Sequence, residues 1–191
     1  MSRKMHAKVH GDEDHDSTVK LALPYWMKSF WGVRVAGRAG TAKRVYIMPI
    51  HIPRDMTIDE IQIFLETGSS GKSCRIGLYK DNGGTPNGGA LLYDSGNISV
   101  ATAGALVVNP TPIALTKGIV WAAVASEDTV QAFSADTGTY MPLKSTGSHP
   151  MFGGCRYDLG TFGALTDPCP TVTQDLYGRI LFFVHVASVD D

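Results

Sequence analysis

Apolar and polar positions alternate every second residue along much of this chain, the period of strands whose side chains point to opposite faces at each step. Cys74 alternates with Ile76 and Leu78, and Ile61, Ile63 and Leu65 alternate with Glu60, Gln62 and Glu66. From Ile119 to Ala125, Val120, Ala122 and Val124 share one side while Ile119, Trp121 and Ala123 share the other, so both faces of that strand are expected to be covered. Met56 to Glu66 also fits a helix, since Thr57-x-x-Glu60 matches a capping box and Ile58, Ile61 and Leu65 keep helical spacing. Its isoleucine content favours a strand. Val45 to Ile52 is strand-like, and Pro49 within it predicts an edge position or a bulge. A further strand is expected from Val130 to Phe133. The strongest strand pattern, Arg179 to Ala187, is apolar enough to pair near the middle of a sheet.

Turn residues punctuate these runs. Cys74 to Tyr79 leads into the glycine-loaded stretch Asp81-Asn82-Gly83-Gly84-Thr85-Pro86-Asn87-Gly88-Gly89, followed by a short strand ending Tyr93-Asp94-Ser95-Gly96. Extended segments separated by Asn-Gly and Pro turns predict antiparallel β architecture. About seven to nine strands suit a two-sheet sandwich or jelly roll. Ile76, Trp121 and Phe182 are expected to meet inside it. His185, within the last strand, reads as a satisfied core or interface histidine rather than a ligand.

Residues 1–42 differ from this pattern. The first 20 are polar, centred on Gly11-Asp12-Glu13-Asp14-His15-Asp16, and have little to bury. Leu21, Leu23, Tyr25, Trp26, Phe30 and Trp31 then crowd a short apolar cluster, which predicts either packing on the chain's own domain or docking onto another chain. Gly32 to Ala42 is linker-like. The expected organisation is therefore an extended amino-terminal arm and linker, 1–42, and one β-sandwich domain, 43–191.

Composition narrows the function classes. With 191 residues, one core is the expectation, and 43% hydrophobic against 18% charged residues with 21 glycines describes a turn-rich β protein. Such low charge implies surface covered by neighbouring subunits. A formal net charge of −1 provides no field to hold a polyanion, so direct nucleic-acid binding is not expected. The charges at Arg34, Arg38, Lys43 and Arg44 read as solvated loop charge. No apolar run reaches the roughly 20 residues of a membrane-spanning helix, and no secretory signal is visible, which predicts cytoplasmic synthesis. Cys74, Cys155 and Cys169 make an odd count without metal-site spacing, so neither a disulfide framework nor zinc is expected.

Chemistry-bearing motifs are weak. Gly68-Ser69-Ser70-Gly71-Lys72-Ser73 ends like a phosphate-binding loop, but Glu66 stands where the motif needs glycine and a strand follows where it needs a helix. A tight connection between strands is expected there. His10, Asp12, Glu13, Asp14, His15 and Asp16 lack the spacing of a calcium loop and read as a solvated acidic patch, so no metal and no cofactor is expected. Ser148-His149, Cys155 with Asp158, and the carboxylates Asp136, Asp158 and Asp167 are candidates for nucleophilic or sugar-cleaving chemistry only if they meet in space. The chain is read as a non-enzyme.

The aromatics between 134 and 178 are a stronger lead. Tyr140, His149, Phe152, Tyr157 and Phe162 could line a glycan site, because ring faces stack on the apolar faces of sugars. The competing reading, that they plug the ends of the sandwich or pack between subunits, is favoured.

Arg75-Ile76-Gly77-Leu78-Tyr79, Leu91-Leu92-Tyr93-Asp94-Ser95-Gly96 and Leu115-Thr116-Lys117-Gly118-Ile119-Val120-Trp121-Ala122, with the lead-in Met56 to Ile61, resemble the compact jelly-roll domains of tailed-bacteriophage structural proteins. The resemblance covers roughly Arg44 to Ser126 and departs from the family at Val120-Trp121, where Tyr-Trp is frequent. It implies an all-β, antiparallel jelly-roll-like sandwich with an extended arm, in a virion protein of the tail-fibre, head-fibre or minor capsid and decoration type. It further implies a homotrimer attached to capsid or tail proteins through its arm, and a location in virions assembled in the bacterial cytoplasm. The alternative it implies is a host-attachment adhesin, a tail-fibre tip binding carbohydrate on the host surface.

Overall fold

In a computed structural model, the structure describes residues 25–28, 36–39, 41–129, 132–135, 154–174 and 180–189. Among them there is no helix. The strands are β1 (Tyr25–Lys28), β2 (Ala36–Ala39), β3 (Arg44–Ile52), β4 (Met56–Thr67), β5 (Ser73–Lys80), β6 (Leu91–Asp94), β7 (Ile98–Ser99), β8 (Gly104–Val108), β9 (Ile113–Leu115), β10 (Gly118–Ser126), β11 (Ala132–Ala135), β12 (Cys155–Asp158), β13 (Thr173–Gln174) and β14 (Phe182–Val189). They form two antiparallel sheets packed against each other.

The first sheet is organised by β4. One edge of β4 carries β14 along Met56 to Ile63 and β11 at Leu65 and Thr67. Its other edge carries β8 along Ile61 to Leu65 and β9 along Met56 to Ile58. Outside β14 lies β1, and outside β11 lies β2. The second sheet runs β13, β12, β3, β10, β5, with β6 and β7 both on the far edge of β5. Of the strand expected from Val130 to Phe133, the described residues Ala132 and Phe133 lie in β11. The closing strand lies inside its sheet, between β1 and β4, as its apolar run predicts.

Between the sheets, inward positions of β3 (Met48, Ile50, Ile52), β4 (Ile58, Ile61, Ile63), β5 (Ile76, Leu78), β10 (Val120, Ala122, Val124) and β14 (Phe182, Val184, Val186) make one buried core. Each of the larger side chains among them stabilises the fold by about 1.5–3 kcal/mol relative to exposure. Cys74 belongs to this core, and burial pushes its thiol up to about 12. Pro49 pairs with Trp121 across β10, while β12 reaches only Arg44 to Ile47 on the other side of β3. The missing N–H thus falls where β3 has no second neighbour among the described strands.

One expectation needs correction. Ile76 and Phe182 share the central core, but Trp121 does not join them: alternation along β10 turns it to the opposite side of its sheet, into a separate apolar cluster. Within the expected arm and linker, Tyr25–Lys28 and Ala36–Ala39 are strands hydrogen-bonded into the first sheet. Leu21, Leu23, Phe30 and Trp31 lie outside the described residues.

Candidate functional site

The two sheets meet their surroundings differently, and that difference locates the candidate site. On the outer face of the second sheet, residues 159–172 fold back over Val45, Ile47, Tyr79, Trp121, Ala123 and Ala125, joined there by Cys155 and Tyr157 of β12. Leu165 fits against Gly77, where a Cβ would come within 2.2 Å of the leucine Cδ1 and 2.8 Å of the Tyr93 carbonyl oxygen. Only glycine lets this segment close on the sheet. The hydroxyls of Tyr79 and Tyr157 lie 2.7 Å apart, Tyr79 also donates to the Thr166 carbonyl at 2.9 Å, and the Thr166 N–H donates to the Tyr157 hydroxyl at 3.3 Å. Burial raises both phenols above their ordinary value.

Carboxylates pin this cover at its margins. Asp94 accepts from Arg75 Nε at 3.0 Å and Nη2 at 2.9 Å, and from the backbone N–H of Leu165 at 2.9 Å and Gly96 at 3.1 Å. Burial alone pushes the Asp94 carboxyl up, but Arg75 and the two N–H groups together outweigh it and hold it below the usual carboxylate range. Asp167 accepts from Leu91 N at 2.9 Å, and Asp81 accepts from Trp121 Nε1 at 2.7 Å. Asp158 pairs with Arg44 at 2.8 Å, which lowers its carboxyl.

The outer face of the first sheet has no such cover among the described residues. Alternation turns Gln62 and Phe64 of β4, Ala105 and Val107 of β8, and Phe183 and His185 of β14 away from the core. Val107, Gln62 and Phe183 stand in one cross-strand row. Phe64 packs edge-on against Phe183 with ring centroids 5.8 Å apart. Phe64 is nevertheless 38% exposed and Val107 42%. An extra residue in β4 at Asp59 places its carboxylate 2.6 Å from His185 Nδ1. β4, β8, β9 and β14 contain Asp59, Glu60 and Glu66 but neither lysine nor arginine. The face has an aromatic and aliphatic centre at Phe64, Val107 and Phe183. Along its edge, the register sets Trp26 of β1 across from His185 and Lys28 across from Phe183.

The other expected site residues are scattered. Tyr157 is 7% exposed, and Phe162 is half-buried against the covered face. Tyr157 therefore offers no open ring face to a sugar, and its position matches the packing reading. Tyr140, His149 and Phe152 lie outside the described residues, as do Asp136 and the segment His10 to Asp16. Cys155 is buried, with its thiol 3.9 Å from the Ile47 carbonyl oxygen, while Asp158 on the same strand faces Arg44, so the two do not meet. Cys169 is buried and its thiol is pushed up to about 12, far from the thiolate a nucleophile needs. Among the described residues no group of three or more His, Cys, Asp or Glu is placed to hold a metal ion.

Gly68 to Lys72 joins β4 to β5, as its sequence context predicts. Its donors meet carboxylates of this chain: Ser69 Oγ donates to Asp128 at 2.6 Å, Ser73 N to Glu127 at 2.8 Å, and Lys72 Nζ lies 3.5 Å from Glu127. The sequence reading passed over Phe64, Val107 and Phe183 as a surface. Phe64 interrupting the polar set Glu60, Gln62 and Glu66 was the available signal. No protein-family model matches the chain, and no curated protein matches it.

Proposed function

We propose that this chain is a structural component of a tailed-phage particle, synthesised in the bacterial cytoplasm and incorporated into the virion by contact rather than by chemistry. The observation that carries the reading is strand order. One sheet runs β1, β14, β4 and then β8 with β9; the other runs β3, β10, β5 and then β6 with β7. The consecutive long strands β3, β4 and β5 alternate between the two sheets, an order that supports the jelly-roll winding expected from the sequence resemblance. The use of described carboxylates as staples for loops supports a contact role as well.

Docking is assigned to the amino-terminal segment together with the open face beside β1. A partly exposed apolar patch suits a partner surface that presents apolar groups of its own. The partner is a capsid or tail protein, and a homotrimer is the expected assembly.

Particles purified from the source phage or prophage test the reading. Mass spectrometry is expected to find the chain at fixed stoichiometry, and its absence from intact particles sinks the virion assignment. Deleting residues 2–24, which leaves β1 in place, and Phe64→Asp are each expected to lower co-sedimentation at least about tenfold, the effect of about 1.4 kcal/mol. If both variants co-sediment like the unaltered chain, the docking assignment is wrong even though the protein is a virion component.

A further inference from the structure

The turn between β5 and β6 contains the same tripeptide twice, Asn82-Gly83-Gly84 and Asn87-Gly88-Gly89. Asparagine before glycine is prone to a self-reaction, because no side chain on the following residue hinders its backbone nitrogen. That nitrogen attacks the asparagine Cγ, a new C–N bond closes a five-membered imide, and the Cγ–Nδ2 bond breaks. Ammonia departs with the proton that the attacking nitrogen gives up. Water then opens the imide at either carbonyl to leave aspartate or isoaspartate, so water is the only co-reactant and no electrons are transferred. Both asparagines precede two glycines, which matches their local chemistry. The fold is what separates them.

At Asn87 both reacting groups are engaged. The Gly88 N–H donates to the Cys169 carbonyl at 2.8 Å, and the Asn87 Oδ1 accepts from Val172 N at 2.9 Å. Asn87 is also half-buried beneath the 165–172 segment, so imide closure there requires that segment to lift. Asn82 and Gly83, in contrast, are exposed. Among the described residues no acceptor takes the Gly83 N–H. The Asn82 Nδ2 donates to the Asn87 carbonyl at 2.9 Å, a bond at the solvent surface. Gly83 sits at φ +71° with nothing within 4 Å of where a Cβ would be, leaving room for the imide.

We propose that Asn82 is a spontaneous deamidation site of the folded protein and that Asn87, in the same tripeptide, is protected by the covering segment. Reaction at Asn82 adds a carboxylate next to Asp81, which already accepts from Trp121 Nε1 at 2.7 Å and Gly84 N at 2.9 Å. It also removes the amide bond to Asn87 that ties the two halves of the turn.

The full chain is aged at neutral pH, native and in urea, and the two sites are followed by peptide mass spectrometry and isoaspartyl methyltransferase labelling. In the native protein Asn82 is expected to convert at least about tenfold faster than Asn87, because Asn87 reacts only from the fraction in which two hydrogen bonds have opened. In urea the ratio is expected to fall towards one. Equal native rates, a faster Asn87, or an Asn82 that stays intact while the urea sample converts would each overturn the proposal. A ratio unchanged by urea would overturn it too, by tracing the difference to sequence rather than to folding.

Discussion

The outer faces of the two sheets received opposite treatment from the same chain. That of the second sheet is apolar at Val45, Tyr79, Trp121 and Ala123, and residues 159–172 seal it into a second core with a tyrosine pair and carboxylate staples. That of the first mixes Phe64, Phe183 and Val107 with Gln62, His185 and acids, and among the described residues it has no cover. An apolar sheet face left to water costs about 25 cal/mol for each Å² a cover would bury, so a fully apolar face needs a cover built into the fold. A half-polar face can stay open while retaining enough apolar area for contact.

Equivalent truncations should therefore have unequal effects. Leu165→Ala removes the side chain seated on Gly77 and is expected to lower unfolding free energy by about 2–4 kcal/mol in urea titration. Val107→Ala on the open face is expected to cost no more than about 0.5 kcal/mol. Similar losses at the two positions would end the distinction between sealed and open faces.

Asp94→Asn tests the staple. It weakens the Arg75 pair and the acceptor for Leu165 N, with an expected loss of about 1–3 kcal/mol. Acid should act in the same direction. The Asp94 carboxyl titrates lower in the folded chain than in the unfolded one. Its stabilisation is therefore fully present above the unfolded value of about 3.9 and is lost as pH falls from there through the depressed folded value. Stability of the Asp94→Asn variant measured across that range should fall less steeply than that of the unaltered protein; parallel curves would remove Asp94 from the account.

Tyr157→Phe removes one hydroxyl from the buried pair while Tyr79 keeps its bond to the Thr166 carbonyl, so about 1 kcal/mol is expected from thermal or urea unfolding. A small stability change is also expected at Phe64→Ala, no more than about 0.5–1 kcal/mol, reflecting a partly exposed ring that packs edge-on against Phe183. A loss above that range would place Phe64 among the structural residues rather than on a contact surface.

Much of the central core was legible because it depends on local alternation. Ile61, Ile63 and Leu65, or Val120, Ala122 and Val124, could face only one way once their segments were strands, and the covered second face of β10 followed from Trp121 and Ala123 by the same rule. Trp121 shows where that rule stops: alternation assigns it a side but not which side is the inside of the sandwich. The edge-strand expectation at Pro49 was met over part of β3, because β12 ends before reaching it. The pairing of Tyr25–Lys28 with β14 was not legible, since an apolar aromatic segment reads the same whether its partner lies in its own chain or in another. The open face was missed because Phe64 and Phe183 are far apart in sequence and become a patch only when β4 and β14 pair.

By itself, the amino-acid sequence determined the β class, most of the strands and the side chains that line the central core, because a period of two is a property of neighbouring residues. Only tertiary structure decided that Leu165 would meet Gly77, that Asp94 would staple the cover, that Asn87 would be shielded while Asn82 was not, and that one sheet would keep its outer face open. Those outcomes join positions dozens of residues apart, and nothing in local periodicity encodes which distant segment arrives at a given face.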